Sequence, residues 1–341
     1  MTFCLRQLRG LNVKLTTSLN HQLTESPFYL MLKDYLRLHF IVLLWGFTAI
    51  LGKLISVPPV ELVFWRTLLA AAGLAVLLIV RRQPWRVAGT EALKMLGIGV
   101  LVAAHWITFF LAARLSSVSV CLAGLATLAL WTSLLEPLVL WRRVRPYEVG
   151  LGLLTMVGLY LVSQAELDQM AGLLVAIVSA GLSALFSVFN SKLVKRHTPF
   201  QLTLYEMTGA CLSIVLFMPV YGHYFTEGQG LQLAWQGYDW LWLLLLAGVC
   251  TVYAFSSSVE LMKRISAFVV NLTINLEPVY GILLAVLMYT LHIPGFGQEK
   301  LSTGFYLGTV VILLSVLIHP VLDQWMKRRQ RQAEAVDVLV G

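Results

Sequence analysis

Between residues 38 and 322 the chain alternates apolar stretches close to 20 residues long with short breaks carrying Lys, Arg, Gly or Pro. A bilayer core of roughly 30 Å is crossed by about 20 apolar residues in helical form. Runs of that kind fall near 38–56, 59–80, 94–113, 117–141, 147–164, 170–191, 200–221, 240–260, 265–290 and 303–322. The pattern therefore predicts an all-α polytopic membrane protein with ten transmembrane helices.

Composition strengthens this reading. The 341 residues are 58% hydrophobic and 12% charged, with a mean hydropathy of +0.79, which leaves too little polar surface to cover a soluble globule of that size. Lipid is thus the expected solvent. The 25 Lys and Arg outnumber the 17 Asp and Glu, but the basic residues cluster between apolar runs and mark topology, not a nucleic-acid face. With both termini inside, 21 basic residues fall in inner segments and three, Lys53, Arg114 and Lys300, in outer ones, while Arg66 lies within a span. That asymmetry predicts a multi-pass protein of the cell (inner) membrane, with residues 1–37 and 323–341 as cytoplasmic tails.

Cys121, Cys211 and Cys250 lie in apolar runs and Cys4 in the amino-terminal tail, with neither CxxC spacing nor neighbouring His, so no disulfide framework, metal site or cofactor is expected. Residues 1–30 carry Arg6, Arg9 and Lys14 without the apolar core of a signal peptide. Met31 opens directly into the first apolar run, so either Met1 or Met31 could be the start and residues 1–30 are expected to be dispensable.

The chain also matches itself. Lys53 to Arg66 parallels Lys192 to Glu206, through Lys-Leu, Pro-x-x-Leu and an aromatic-plus-charged pair; Arg143 to Gly152 parallels Glu299 to Gly308 over the same nine-residue separation. The expected organisation is two five-helix repeats, 38–164 and 165–322. Five is odd, so the second copy enters the membrane from the opposite face, giving inverted repeats that can rock about a central site. A duplicated scaffold without transport is the plainer alternative.

Four segments resemble the drug/metabolite transporter superfamily, of the EamA type. They are Leu115-Ser-Ser-Val-Ser-Val120, Leu134-Leu-Glu-Pro137, Ile265-Ser-Ala-Phe-Val-Val-Asn-Leu-Thr-Ile-Asn-Leu-Glu-Pro278 and Gln298-Glu-Lys-Leu301. Trp141-Arg-Arg143 departs from the family's Gly-Glu-Arg, and Leu291 to Gly297 lengthens a loop. The resemblance implies ten helices, cytoplasmic termini and a central cavity for a small, commonly exported solute.

Ionisable groups inside spans cost on the order of 2.5–3.5 kcal/mol on insertion scales and normally face a cavity or a partner. Glu277 lies mid-span beside Pro278, which strips the Ile274 carbonyl of its helical donor, so a substrate amine or coupling cation could be held there. Thr273 shares its face, and Asn271 and Asn275 form a second polar pair that could bind solute or glue helices together. Glu136, with Thr132 one turn away, reads as a gate or coupling carboxylate, or as a partner of Arg142 or Arg143. His105 could contact substrate or bond a neighbouring helix. Trp45, Trp131 and Tyr253, together with Trp106, are candidate pocket aromatics, although Trp and Tyr also populate interfacial belts. Arg66, Glu206 and Glu260 read as structural. Ser179, Ser183, Ser187 and Ser191 form a small-residue ridge suited to close helix packing.

These features predict a secondary carrier that moves an amino acid or related small metabolite, in the export direction, by alternating access. Its expected partners are the solute and lipid, with no nucleic acid; homodimerisation is left open. No P-loop, HExxH, GxSxG or catalytic triad pattern occurs, so no catalytic residues are assigned and an enzyme is not expected. An intramembrane enzyme or a membrane sensor or scaffold remains the alternative.

Overall fold

The computed structural model describes residues 27–116, 118–163, 170–226, 228, 230–292 and 303–340. Gln298 to Leu301 and the amino-terminal Arg6, Arg9 and Lys14 lie outside the described residues. The chain divides into two compact units, Met1–Phe40 and Ile41–Gly341. The described part of the first begins at Pro27 and is helical; the second holds the remaining helices. The described residues contain helices and turns and no strand.

In chain order the α-helices are α1 (Pro27–Leu54), α2 (Pro59–Val80), α3 (Gly89–Leu115), α4 (Val118–Leu125), α5 (Leu128–Leu140), α6 (Pro146–Ser163) and α7 (Met170–Leu193). They continue with α8 (Pro199–Tyr224), α9 (Asp239–Ala247), α10 (Ala254–Leu261), α11 (Ala267–Ile274), α12 (Glu277–Thr290) and α13 (Thr303–Val340). A π-helical segment, Gly248–Tyr253, joins α9 to α10.

Eight of the described segments are long and apolar enough to cross a membrane. The two expected spans that fall short are 117–141, which is divided into α4 and α5, and 147–164, where the apolar helix covers only Pro146–Leu161. At the other extreme α13 runs 38 residues, so residues 323–340, read from sequence as a tail, prolong a helix.

Local chemistry explains the boundaries. The two segments matched by the internal repeat both start a helix at proline, Pro59 and Pro199, where the missing N–H is no loss. Thr198 and Gln201 complete a reciprocal capping box on α8.

Helix packing follows small residues. The helix α3 lies against α7 and α8, and α8 against α2 and α10. At the α3–α8 crossing, a side chain at Gly99 would strike the backbone of Glu206 and Ala210, and one at Gly209 the backbone of Leu96. Cross-repeat contacts also join α5 to α11 and α6 to α13; Thr155 and Ser315 hydrogen-bond at 3.0 Å across the latter. Between the helices lies a cavity of about 80 Å³, several times the roughly 10–15 Å³ that one water needs.

Candidate functional site

Both divided helices open onto this cavity. At the end of α11, Leu276 N–H reaches back only three residues, to the Thr273 carbonyl at 3.0 Å, and Pro278 has no N–H to offer Ile274. The helix therefore breaks, and Ile274, Asn275, Glu277 and Pro278 line the cavity. At the end of α4, the Thr127 backbone N–H and hydroxyl both donate to the Gly124 carbonyl, at 3.2 and 2.8 Å. That turn exposes Leu125, Ala126 and Leu128 to the same space.

Facing them is Arg66, 4% exposed. Its Nε donates to Thr251 Oγ1 at 2.8 Å, and its guanidinium lies 3.6 Å from the Trp106 ring centroid, a close cation–π contact. The π segment sets up this arrangement. Thr251 donates to the Leu246 carbonyl five residues back at 2.9 Å, while Trp45 Nε1 donates to the Cys250 carbonyl at 3.1 Å. Such π turns leave backbone groups free for partners outside the helix and often mark functional sites. Neither Arg66 nor Glu277 has an ion-pair partner within 4 Å among the described residues.

The sequence-derived candidates divide by position. Glu277, Asn275, His105 and Trp45 line the cavity, and the buried Asn275 Nδ2 has no hydrogen-bond partner. His105 also bonds the neighbouring helix: its Nδ1 lies 2.9 Å from the Ser179 carbonyl and 2.8 Å from Ser179 Oγ, which in turn donates to the His105 carbonyl. Asn271, Thr273, Thr132, Trp131 and Tyr253 do not line it. Asn271 Nδ2 donates to Thr132 Oγ1 at 2.8 Å, joining α11 to α5, while Thr273 donates to the Val269 carbonyl. Trp131 and Tyr253 face outward, 38% and 43% exposed.

Glu136 also sits away from the cavity, between helices. Its Oε2 accepts from the Phe268 backbone N–H at 3.0 Å, capping α11, and lies 3.2 Å from Arg142 Nη2. Arg142 pairs with Glu148 at 3.0 Å, Glu148 with Arg145 at 3.1 Å, and Tyr147 donates to Asp323 at 3.0 Å. This network links α5, α6, α11 and α13. Toward the other end of the bundle, Ser56 N–H donates to Asp239 at 2.9 Å, Gln232 N–H to Glu61 at 3.1 Å and Trp65 Nε1 to the Leu233 carbonyl at 3.1 Å.

The sequence reading took Arg66 as structural and missed its place in the cavity, while Trp106, named as a candidate pocket aromatic, lines the cavity and carries the Arg66 guanidinium on its ring. A signal was present, because Arg66 is the one basic residue expected inside a span. The π segment had none.

A model of the EamA-like transporter family matches residues 35–164 and again residues 170–319. A solved structure described only as "Crystal structure of protein" is 19% identical, covering 86% of this chain and 98% of its own, with a TM-score of 0.65; at that identity the likeness is one of fold. No curated protein matches the chain. Two successive family matches over an all-helical, apolar chain identify a multi-pass membrane protein that belongs to the EamA-like transporter family, whose members are transporters of small solutes.

Proposed function

We propose that this chain is a secondary carrier for zwitterionic amino acids or close relatives, exporting them across the cell membrane by alternating access. The observation that carries the reading is Arg66 and Glu277 sharing one cavity with neither neutralised by an ion pair. A guanidinium offers the forked donors that suit a carboxylate, and a buried carboxylate suits an ammonium group. The two ends of an α-amino acid carry those complementary charges. Thr251 and Trp106 hold Arg66 in place beforehand, so little ordering is required when solute arrives.

In this reading the bilayer is crossed ten times by two inverted five-helix repeats, and both termini are cytoplasmic. The Glu136–Arg142–Glu148 network closes the cytoplasmic end. The contacts of Asp239, Glu61 and Trp65 close the other. Movement of α11 would need the Glu136 cap on Phe268 to part, giving Glu136 and Thr132 a gating role. Asn271 and Thr273 would then act through the position of α11, with Trp131 and Tyr253 as lipid-facing anchors.

The test is counterflow in proteoliposomes with labelled alanine, leucine, phenylalanine, lysine and glutamate. Neutral amino acids should exchange, and Arg66→Gln should cost at least about tenfold in kcat/KM, or some 1.4 kcal/mol. An intramembrane enzyme or a scaffold would give no counterflow with any member of the panel. Reporter fusions after residue 164 should report the outer side; a cytosolic signal there would overturn the inverted arrangement.

A further inference from the structure

One buried carboxyl has no part in that mechanism. Glu206 of α8 is fully buried, and its hydrogen bond is to Asn190 of α7, from Nδ2 to Oε2 at 3.3 Å. Two acceptors of this pair are left without a donor, Glu206 Oε1 and Asn190 Oδ1. The ionisable groups nearest along the packed helices are otherwise engaged or exposed. Glu91 of α3 pairs with Lys94 and His197, His105 with Ser179, and Arg66 of α2 with Thr251 and Trp106. Lys192 of α7 is exposed, and among the described residues no basic side chain forms an ion pair with Glu206; Glu260 of α10 is itself an acid and could not neutralise it. A bare carboxylate in such a site is costly, whereas a proton on Oε1 is the one donor the pair lacks. It would close an acid–amide pair, Oε1–H to Oδ1 beside Nδ2–H to Oε2.

Asn190 also belongs to the wall of the solute cavity. We infer that Glu206 is the proton-binding site of the carrier, linked to the solute through Asn190. The carboxylate takes up one proton and releases it again, with no other bond made or broken. A solute that engages Asn190 from the cavity removes the acceptor the proton needs. Solute and proton therefore exclude one another, the condition for exchange of one against the other.

The transport consequence rests on the proposed carrier function; the proton site does not. In proteoliposomes clamped at zero membrane potential and made one pH unit more acidic inside, labelled leucine should accumulate about tenfold at one proton per solute. In Glu206→Gln, which keeps a partner for Asn190, the ratio should fall to about 1 while leucine counterflow persists. A variant that still accumulates leucine with the gradient overturns the inference. So does a wild type that exchanges leucine but ignores the gradient. Loss of all counterflow in the wild type would defeat the carrier reading instead. The infrared spectrum of the purified protein separates the two without any solute. Wild type minus Glu206→Gln should show a protonated-carboxyl C=O stretch, and ionised-carboxylate bands in its place would refute the proton site. Should Glu206→Gln not fold, Glu206→Asp should shift that stretch instead of removing it.

Discussion

The two divided helices stand at matching points of the two repeats and yet are built by different chemistry. Extending the match of Arg143 with Glu299 back along the chain, and setting aside the loop lengthened by Leu291 to Gly297, puts Ala129 opposite Pro278, so Ala126 and Thr127 fall opposite Asn275 and Leu276, and Leu128 opposite Glu277. Both interruptions occur at these paired positions, one forced by Pro278, the other formed where Thr127 captures the Gly124 carbonyl. Proline is therefore not what the two copies share. They share a broken helix at the cavity wall, polar in the second copy and apolar in the first. A solute held between them would meet Glu277 and Asn275 on one side, and Ala126 and Leu128 on the other.

The largest effect should come from exchanging chemistry at the paired positions. Glu277→Gln should slow counterflow at least about tenfold with insertion intact, whereas Leu128→Ala should change it less than about threefold. Equal losses from both would mean that the solute is read symmetrically. Next come the glycine contacts beside each interruption. A side chain at Gly46 would meet Gly281 N at 2.9 Å, and one at Gly124 the Leu173 carbonyl at 3.0 Å. Gly46→Leu and Gly124→Leu should each lower stability by about 1–3 kcal/mol, seen as a fall in Tm of the purified protein. Pro278→Ala should have a smaller effect of opposite sign on stability. It gives Ile274 a helical donor, raising Tm by a few degrees while slowing transport if the break must flex. The smallest effect belongs to the Asn271–Thr132 bond, for which a double-mutant cycle should return about 0.6 kcal/mol, the usual scale for hydrogen bonds between membrane helices.

Much of the architecture was legible because membrane insertion imposes a coarse rule on sequence. Apolar length located several spans to within a few residues, as in 94–113 against Gly89–Leu115 and 200–221 against Pro199–Tyr224, but not the divisions inside 117–141, 240–260 and 265–290 or the extent of α13. The repeat pointed to Pro59 and Pro199 as paired helix starts, and Pro278 announced a weakened turn. What stayed hidden depends on tertiary contact. Nothing in Ala126-Thr127 signals a break, since a threonine hydroxyl can bond a carbonyl within an intact helix just as well. Thr67 does so, donating to the Val63 carbonyl at 2.9 Å. Glu277 and Glu136 look alike in sequence, each followed by proline, yet one faces the cavity and the other caps α11. The direction in which Arg66 points depends on Trp106 and Thr251, 40 and 185 residues further on.

The π segment Gly248–Tyr253 makes this protein intolerant of a change that hydropathy would pass unnoticed. Deleting one residue there would leave an apolar stretch still long enough to span. But relaxation to ordinary helical winding, with about 100° of rotation per residue, would dislodge Thr251 from Arg66 and Cys250 from Trp45. The wall that Phe255 and Ser258 contribute would swing out of alignment with it. Length variation among functional descendants should therefore avoid these six positions and collect in the connecting loops.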